Sequence, residues 1–311
     1  MNSRLLPARV ELQTPAKVNL FLEILGKRPD GYHEIETLLA AISLGDTLVL
    51  TSRSDGEIGV DCQWASGLNP RPSGMPKPAS ADNSPLGDLP PPEKNIVWRA
   101  IHLLQQRSAT GLGAEIRLVK RIPSAAGLGG ASSNAAAALV AANQAWRLNW
   151  SREQLGELAA ELGSDVPFFL RGGLAMARGR GEHLQPIAFR RLNLVVVRPP
   201  VGLSTPAVYK ACQPTREPQS SVALQEALRR GNPCEIGRHL YNGLESPAAS
   251  LTPWIRRLAR EFAQVGTCGH IMSGSGSSYF GLFGSARQAR RAASVLRGRN
   301  VGRVFQGFTM N

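Results

Sequence analysis

Several groups of residues in this 311-residue chain have the types and spacing to do chemistry. The densest is Pro123-Ser124-Ala125-Ala126-Gly127-Leu128-Gly129-Gly130-Ala131-Ser132-Ser133-Asn134. It lies between a strand pattern over Glu115–Lys120 and an alanine-rich helix pattern over Ser132–Trp146. Glycine lets backbone approach an anion closely, and the unpaired N–H groups at a helix start donate to it. The segment reads as a phosphate cradle, with Ser132 and Ser133 as added hydroxyl donors or a metal contact. A Gly-Lys-Ser/Thr P-loop is excluded, because no lysine follows these glycines. A dinucleotide fingerprint is excluded too, because Ser132 stands where its third glycine belongs. A tight turn that binds nothing is the alternative.

Met272-Ser273-Gly274-Ser275-Gly276-Ser277-Ser278 is a second glycine and serine loop, joining two strand patterns. Its alternate glycines suit close approach to a ligand, and a plain hairpin loop fits the same residues. Lys17 sits in an otherwise apolar strand, where a buried ammonium needs an anionic partner. Asp165 falls in Gly163-Ser164-Asp165-Val166-Pro167-Phe168-Phe169, just past a helix end. Beside a lysine it would stay ionised and could take a proton from a hydroxyl. Each alone more often serves a structural ion pair or a turn, and spacing does not say that they meet. In Asp30-Gly31-Tyr32-His33-Glu34, Asp-Gly marks a tight turn. Tyr32 and His33 then offer an aromatic face and a polar ring, suited to stacking on and hydrogen-bonding a base. An ordinary hairpin tip is the alternative.

The elements that must position these groups are read from periodicity and caps. Val18–Leu25 and Thr47–Thr51 read as strands. Asn95 caps a helix running to about Gln106, and Ser151 with Gln154 forms a capping box for a helix ending near Gly163. A second set begins near Arg178, with strands over Leu192–Val197, 268–273, 278–283 and 302–308. One helix starts at Ser204 or Thr205, ahead of Pro206, and others cover about 221–230, 234–242, 253–264 and 286–298. Ser66–Pro92 holds eight of the 22 prolines and reads as an exposed, mobile insertion, with a polyproline ligand as the second reading.

Composition narrows the function classes. The hydrophobic share is 42%, with no apolar run near the ~20 residues of a membrane helix. Met1–Val10 has no apolar core of a secretory leader. The four cysteines form no C-x-x-C pair, which excludes a zinc knuckle and disfavours a disulfide scaffold. The expected compartment is the reducing cytoplasm. The net charge is +13, carried by 30 arginines and only six lysines against 23 acids. The arginines are dispersed, and Arg287–Arg299 reads as one solvated helix face. Polyanionic small substrates suit this balance better than nucleic acid, and neither nucleic acid nor membrane is expected as a partner.

Together these residues resemble the GHMP kinase superfamily, small-molecule kinases without a P-loop. Pro123–Asn134 is similar to its central phosphate motif and Met272–Ser278 to its C-terminal glycine motif. Pro15-Ala16-Lys17-Val18-Asn19-Leu20, the Arg28–Glu34 run and Asp165–Phe169 narrow the resemblance. They point to members that phosphorylate a cytidine-diphosphate-linked sugar alcohol on the non-mevalonate route to isoprenoid precursors. The resemblance spans most of the chain except Ser66–Pro92. It implies a two-domain α+β fold. The N-terminal domain over residues 1–177 would have a ribosomal-protein-like βαβ organisation, with 66–92 as a flexible insertion. The C-terminal domain over 178–311 would be ferredoxin-like. It implies ATP with Mg²⁺, the metal carried mainly by the nucleotide, in a monomer or weak dimer. It makes Asp165 the base and Lys17 the group that holds the hydroxyl and the aspartate. It puts Pro123, Ala125, Ala126, Gly127, Leu128, Gly129, Gly130, Ala131, Ser132, Ser133 and Asn134 around the ATP phosphates. Asn19, Tyr32, His33, Tyr209, Gly274 and Gly276 would meet substrate. Asn242-Gly243-Leu244-Glu245 resembles a family helix segment and reads as structural.

Overall fold

The computed structural model describes residues 8–68, 86, 89–214 and 217–310. Pro70, Pro72, Pro76, Pro78 and Pro85, which carry most of the insertion reading, lie outside the described residues.

The scaffold starts with a long antiparallel ribbon, β1 (Arg9–Lys27) and β2 (His33–Arg53). The short strands expected at Val18–Leu25 and Thr47–Thr51 are segments of it. Most β1 side chains from Thr14 to Ile24 are buried, so alternation does not mark its limits. The second half of β2 pairs with β4 (Gly113–Lys120), which carries β3 (Ile58–Trp64) in parallel on its far side. The first half pairs with β5 (Leu174–Gly179), and β5 with β6 (His183–Pro186). A division after residue 177 therefore passes through β5, and the sheet it belongs to continues to Pro186.

Four helices follow the first strands: α1 (Ile96–Ser108), α2 (Gly130–Ala145), α3 (Arg152–Leu162) and α4 (Val166–Arg171). The Asn95 side chain accepts the Val97 N–H at 3.0 Å, and the Ser151/Gln154 capping box is complete. Helices α1 to α3 bury Ile101, Leu104, Leu139 and Leu158 against Leu48, Leu50, Ile116 and Leu118 of the sheet.

The second sheet has the order β11 (Arg303–Phe308), β7 (Asn193–Arg198), β10 (Tyr279–Phe283), β9 (Gly269–Met272), all antiparallel. Between β7 and β9 come α5 (Thr205–Ala211), α6 (Val222–Arg230), α7 (Pro233–Arg238), α8 (Glu245–Leu251) and α9 (Trp254–Ala263). With α10 (Ala286–Gly298) between β10 and β11, the sheet has the βαββαβ connectivity of a ferredoxin-like domain. The helix expected over 234–242 stops at Arg238. Tyr241–Asn242 instead form β8, parallel to β1, so the second half of the chain completes the first sheet. The two sheets share a core in which Leu20, Leu38 and Ile42 meet Leu194, Val196, Phe280 and Leu282. Burying such side chains contributes about 1.5–3 kcal/mol each, which fixes the sheets against one another. Among the described residues no helix is long and apolar enough to cross a membrane.

Candidate active site

The glycine-rich segment turns into the start of α2. Gly127 and Gly129 have φ of +71° and +68°, a region that side chains with a Cβ avoid. Gly129 caps α2 with no side-chain hydrogen bond, so the first-turn N–H groups remain available to an anion. The second loop is packed directly behind the first. A Cβ on Gly127 would lie 2.1 Å from the Ser273 carbonyl oxygen. Ser273 Oγ donates to the Gly127 carbonyl at 3.0 Å, and the Ser278 N–H to that of Ala126 at 3.2 Å. Asn242 holds this second loop by donating to the Met272 and Gly274 carbonyls, both at 2.8 Å. The Asn242 segment is thus structural in a specific sense, as the tether of the Gly274 turn.

Strand β1 brings Lys17 to the same place. Its N–H donates to the Leu128 carbonyl at 2.9 Å, which ties the cradle to the sheet. Its buried ammonium donates to Asn19 Oδ1 at 2.7 Å and faces Asp165 Oδ2 at 3.7 Å. Burial lowers the Lys17 pKa and the Asp165 charge opposes that shift. Asn19 in turn donates to Thr37 Oγ1 at 2.8 Å. Asp165 stands at the entrance to α4, with its side chain 36% exposed and thus open to a reactant. A Cβ on Gly274 would lie 3.1 Å from Lys17 Nζ, so the second loop roofs the ammonium.

The Arg28–His33 turn supplies the other end. Gly31 has φ +85°, Asp30 accepts the Tyr32 N–H at 3.0 Å, and Arg28 bridges Asp30 and Glu34. The His33 ring meets the Tyr209 ring of α5 at 5.1 Å between centroids. Burial, then Lys27, lower the His33 pKa, so the ring favours its neutral form. Burial, then the Asp165 charge, raise that of Tyr209. Tyr32 is 57% exposed and carries the Arg180 guanidinium 5.0 Å over its ring.

Lys17, Asn19, Asp165, Tyr32, His33, Tyr209 and residues of both glycine loops open into one cleft of about 990 Å³. Of the expected residues, Ser133 and Gly276 do not line it. Ser133 points into the packing below the cradle, where its Oγ is buried without a partner. Gly276 backs onto Met272 and Leu203. The insertion reading also needs correction at its described end. Leu86 is buried, its carbonyl accepts the Ser124 N–H at 2.7 Å, and Leu89 and Pro90 line the cleft. Apolar leucines there find a packing partner that proline content does not reveal.

The sequence reading missed the charge platform under the cradle. Asp46 is completely buried and accepts from the Ile122 N–H at 2.8 Å, Asn134 Nδ2 at 2.9 Å and Lys120 Nζ. Lys120 also reaches Asn134 Oδ1 at 3.2 Å and lines the cleft. All five lysines among the described residues, Lys17, Lys27, Lys94, Lys120 and Lys210, line it, against one carboxylate, Asp165. The arginine bias of the chain was the signal: in such a chain each lysine stands out. The cleft is built for an anionic ligand with a long reach.

Comparison with known proteins agrees with this geometry. Family models described as the GHMP kinases N terminal domain and the GHMP kinases C terminal match residues 95–173 and 224–301. The chain belongs to the GHMP kinase family. Its similar relatives are more particular. A 4-diphosphocytidyl-2-C-methyl-D-erythritol kinase of Pelotomaculum thermopropionicum is 41% identical, covering 91% of this chain and 92% of its own. One of Chromobacterium violaceum is 38% identical, over 96% and 94%. A crystal structure of 4-(cytidine 5'-diphospho)-2C-methyl-D-erythritol kinase is 37% identical with a TM-score of 0.77, covering 97% of this chain and 100% of that one. The homoserine kinase of Cytophaga hutchinsonii has a TM-score of 0.70 at 19% identity, covering 100% of this chain and 97% of that one, and shares the fold.

Proposed function

We propose that this kinase transfers the γ-phosphoryl group of ATP to the 2-hydroxyl of 4-diphosphocytidyl-2-C-methyl-D-erythritol. One observation carries the reading: the same cleft holds the Lys17–Asp165 pair at 3.7 Å, the uncapped start of α2 and the His33–Tyr209 ring pair. The relatives named for this reaction support it.

The backbone N–H groups of Gly129 to Ser132 would hold the ATP phosphates. His33, Tyr32 and Tyr209 would hold the cytosine, the neutral ring of His33 being able both to donate and to accept. The acceptor hydroxyl would then lie at Asp165. Asp165 takes its proton as the oxygen bonds to the γ-phosphorus, and the bond to the β-phosphate oxygen breaks to release ADP. Lys17 keeps the carboxylate and hydroxyl in place and offsets charge on the transferring group. Asn19 keeps Lys17 pointed there. Phosphoryl transfer asks little more than position and charge from the protein.

Mg²⁺ fits this donor set as a passenger. Asp165 is the one carboxylate among the described lining residues, and those residues hold no cluster of three metal-ligating side chains. Bound on the phosphates, the ion would neutralise their charge, with the Ser132 hydroxyl and Asp165 as protein oxygens in reach of the cleft.

The test is ATP consumption with Mg²⁺ and the cytidylyl alcohol, beside homoserine, mevalonate and galactose. Turnover with the cytidylyl alcohol alone is expected. Turnover with another alcohol alone would overturn the substrate, and none with any would overturn the activity.

A further inference from the structure

Helix α7 and the residues at the start of β9 pack backbone against backbone. A Cβ on Gly237 would lie 2.2 Å from the Cys268 carbonyl oxygen, and one on Gly269 equally close to the Gly237 oxygen. This contact admits no side chain, so the two segments are held at their closest possible spacing. Cys234 is three residues before Gly237 on the same helix, and residues so spaced share a face. The Cys268 and Cys234 thiols accordingly come close enough to interact. Both are free; Cys234 is exposed and Cys268 half-buried behind it. Cys62 and Cys212 line the cleft instead.

We propose that Cys234 and Cys268 form a redox-reactive thiol pair, closed to an intramolecular disulfide by a low-molecular-weight disulfide such as oxidised glutathione. The exposed Cys234 thiolate attacks one sulfur of the oxidant and expels one thiolate, which leaves a mixed disulfide. The Cys268 thiol loses its proton and attacks Cys234 Sγ. The protein disulfide forms, the mixed disulfide breaks, and a second thiolate leaves. Two protein thiols are oxidised and one oxidant is reduced to two thiols. Burial pushes the Cys268 thiol up to about 12, so the exposed Cys234 attacks first and the closing attack by Cys268 quickens as pH rises.

The position gives the bond a consequence. Cys268 immediately precedes β9, which leads into the Gly274 turn over Lys17, and α7 leads to Asn242, which tethers that turn. A bond between them staples both supports of the turn.

The folded protein is treated with oxidised glutathione, alkylated, digested and mapped by mass spectrometry. Alkylatable thiols fall from four to two, and the peptides holding Cys234 and Cys268 appear joined with two hydrogens lost. Tm rises by roughly 4 °C. Cys234→Ser, at an exposed site, yields no joined peptide and no rise. Separate glutathione adducts on the two cysteines, a Cys234 link between two copies, or four thiols still alkylatable would each overturn the pair.

Discussion

The two ends of the cleft are built to different standards. At the proposed transfer end, Lys17, Asn19 and Thr37 form a buried hydrogen-bonded chain, and two glycine loops press together with no room for a Cβ at Gly127. At the proposed recognition end Tyr32 is 57% exposed, and His33 meets Tyr209 by ring contact. The contrast follows the work. A reacting hydroxyl and phosphorus must be held to a fraction of an ångström, because misplacement costs rate steeply. A flat base needs two faces, which can be completed when it binds. Changes at the first end should therefore strike turnover or folding, and changes at the second should strike KM for the cytidylyl alcohol.

Asp165→Asn should show the largest effect. We expect kcat to fall by about 10³-fold, with KM for ATP within about twofold. Steady-state kinetics with each substrate varied measures both. A kcat within threefold of wild type would remove Asp165 from proton transfer and erase the contrast. Asp46→Asn tests the same end from below. The buried Lys120 ammonium would lose its counter-charge, and such a loss costs roughly 3 kcal/mol of stability. Thermal unfolding should show a lower Tm, while KM for the cytidylyl alcohol in the folded enzyme stays put. An unchanged Tm would mean that the platform beneath the cradle carries no strain-bearing charge.

The same contrast decides what the sequence disclosed. The glycine-rich run, Lys17, Asp165 and the Tyr32-His33 turn, which share one cleft, stood out because each is a short run whose residue types suggest a chemistry. Caps at Asn95 and Ser151 were legible for the same reason. Asp46 was not, because its meaning lies in partners at Lys120, Ile122 and Asn134, which come together only when β2 and β4 pair. Strand β5 escaped because its run of buried residues does not alternate, and β8 because two residues have no period. Ser133 and Gly276 stand inside legible motifs, yet motif membership does not say which way a residue faces. One helix position beyond Ser132, Ser133 is turned into the core.

His33→Ala should raise KM for the cytidylyl alcohol by about tenfold and leave KM for ATP and kcat within about twofold. Equal effects on both substrates would break the division of the cleft. The pH response sharpens it. Burial lowers the His33 pKa below its ordinary 6.5, so the unfolded chain takes up the proton first as pH falls. The folded state is therefore favoured above pH about 6.5 and loses that contribution below it. A neutral ring is also the form proposed to read the base. Wild-type KM for the cytidylyl alcohol should stay level from pH 8 to about 6.5 and climb below, a climb His33→Ala lacks.

The smallest effect belongs to Arg180, which stacks on Tyr32 at the exposed rim. A cation over an exposed ring contributes only about 0.5–1 kcal/mol. Arg180→Ala should raise KM for the cytidylyl alcohol about two- to fivefold, by the fold-change equivalent of that contact, with kcat and KM for ATP unmoved. The effect should shrink at high salt if the guanidinium also draws in the anionic ligand across solvent. A tenfold or larger change, insensitive to salt, would mean that Tyr32 must be held before the base arrives. The recognition end would then be as preorganised as the transfer end, and its exposure would be no guide to how firmly it works.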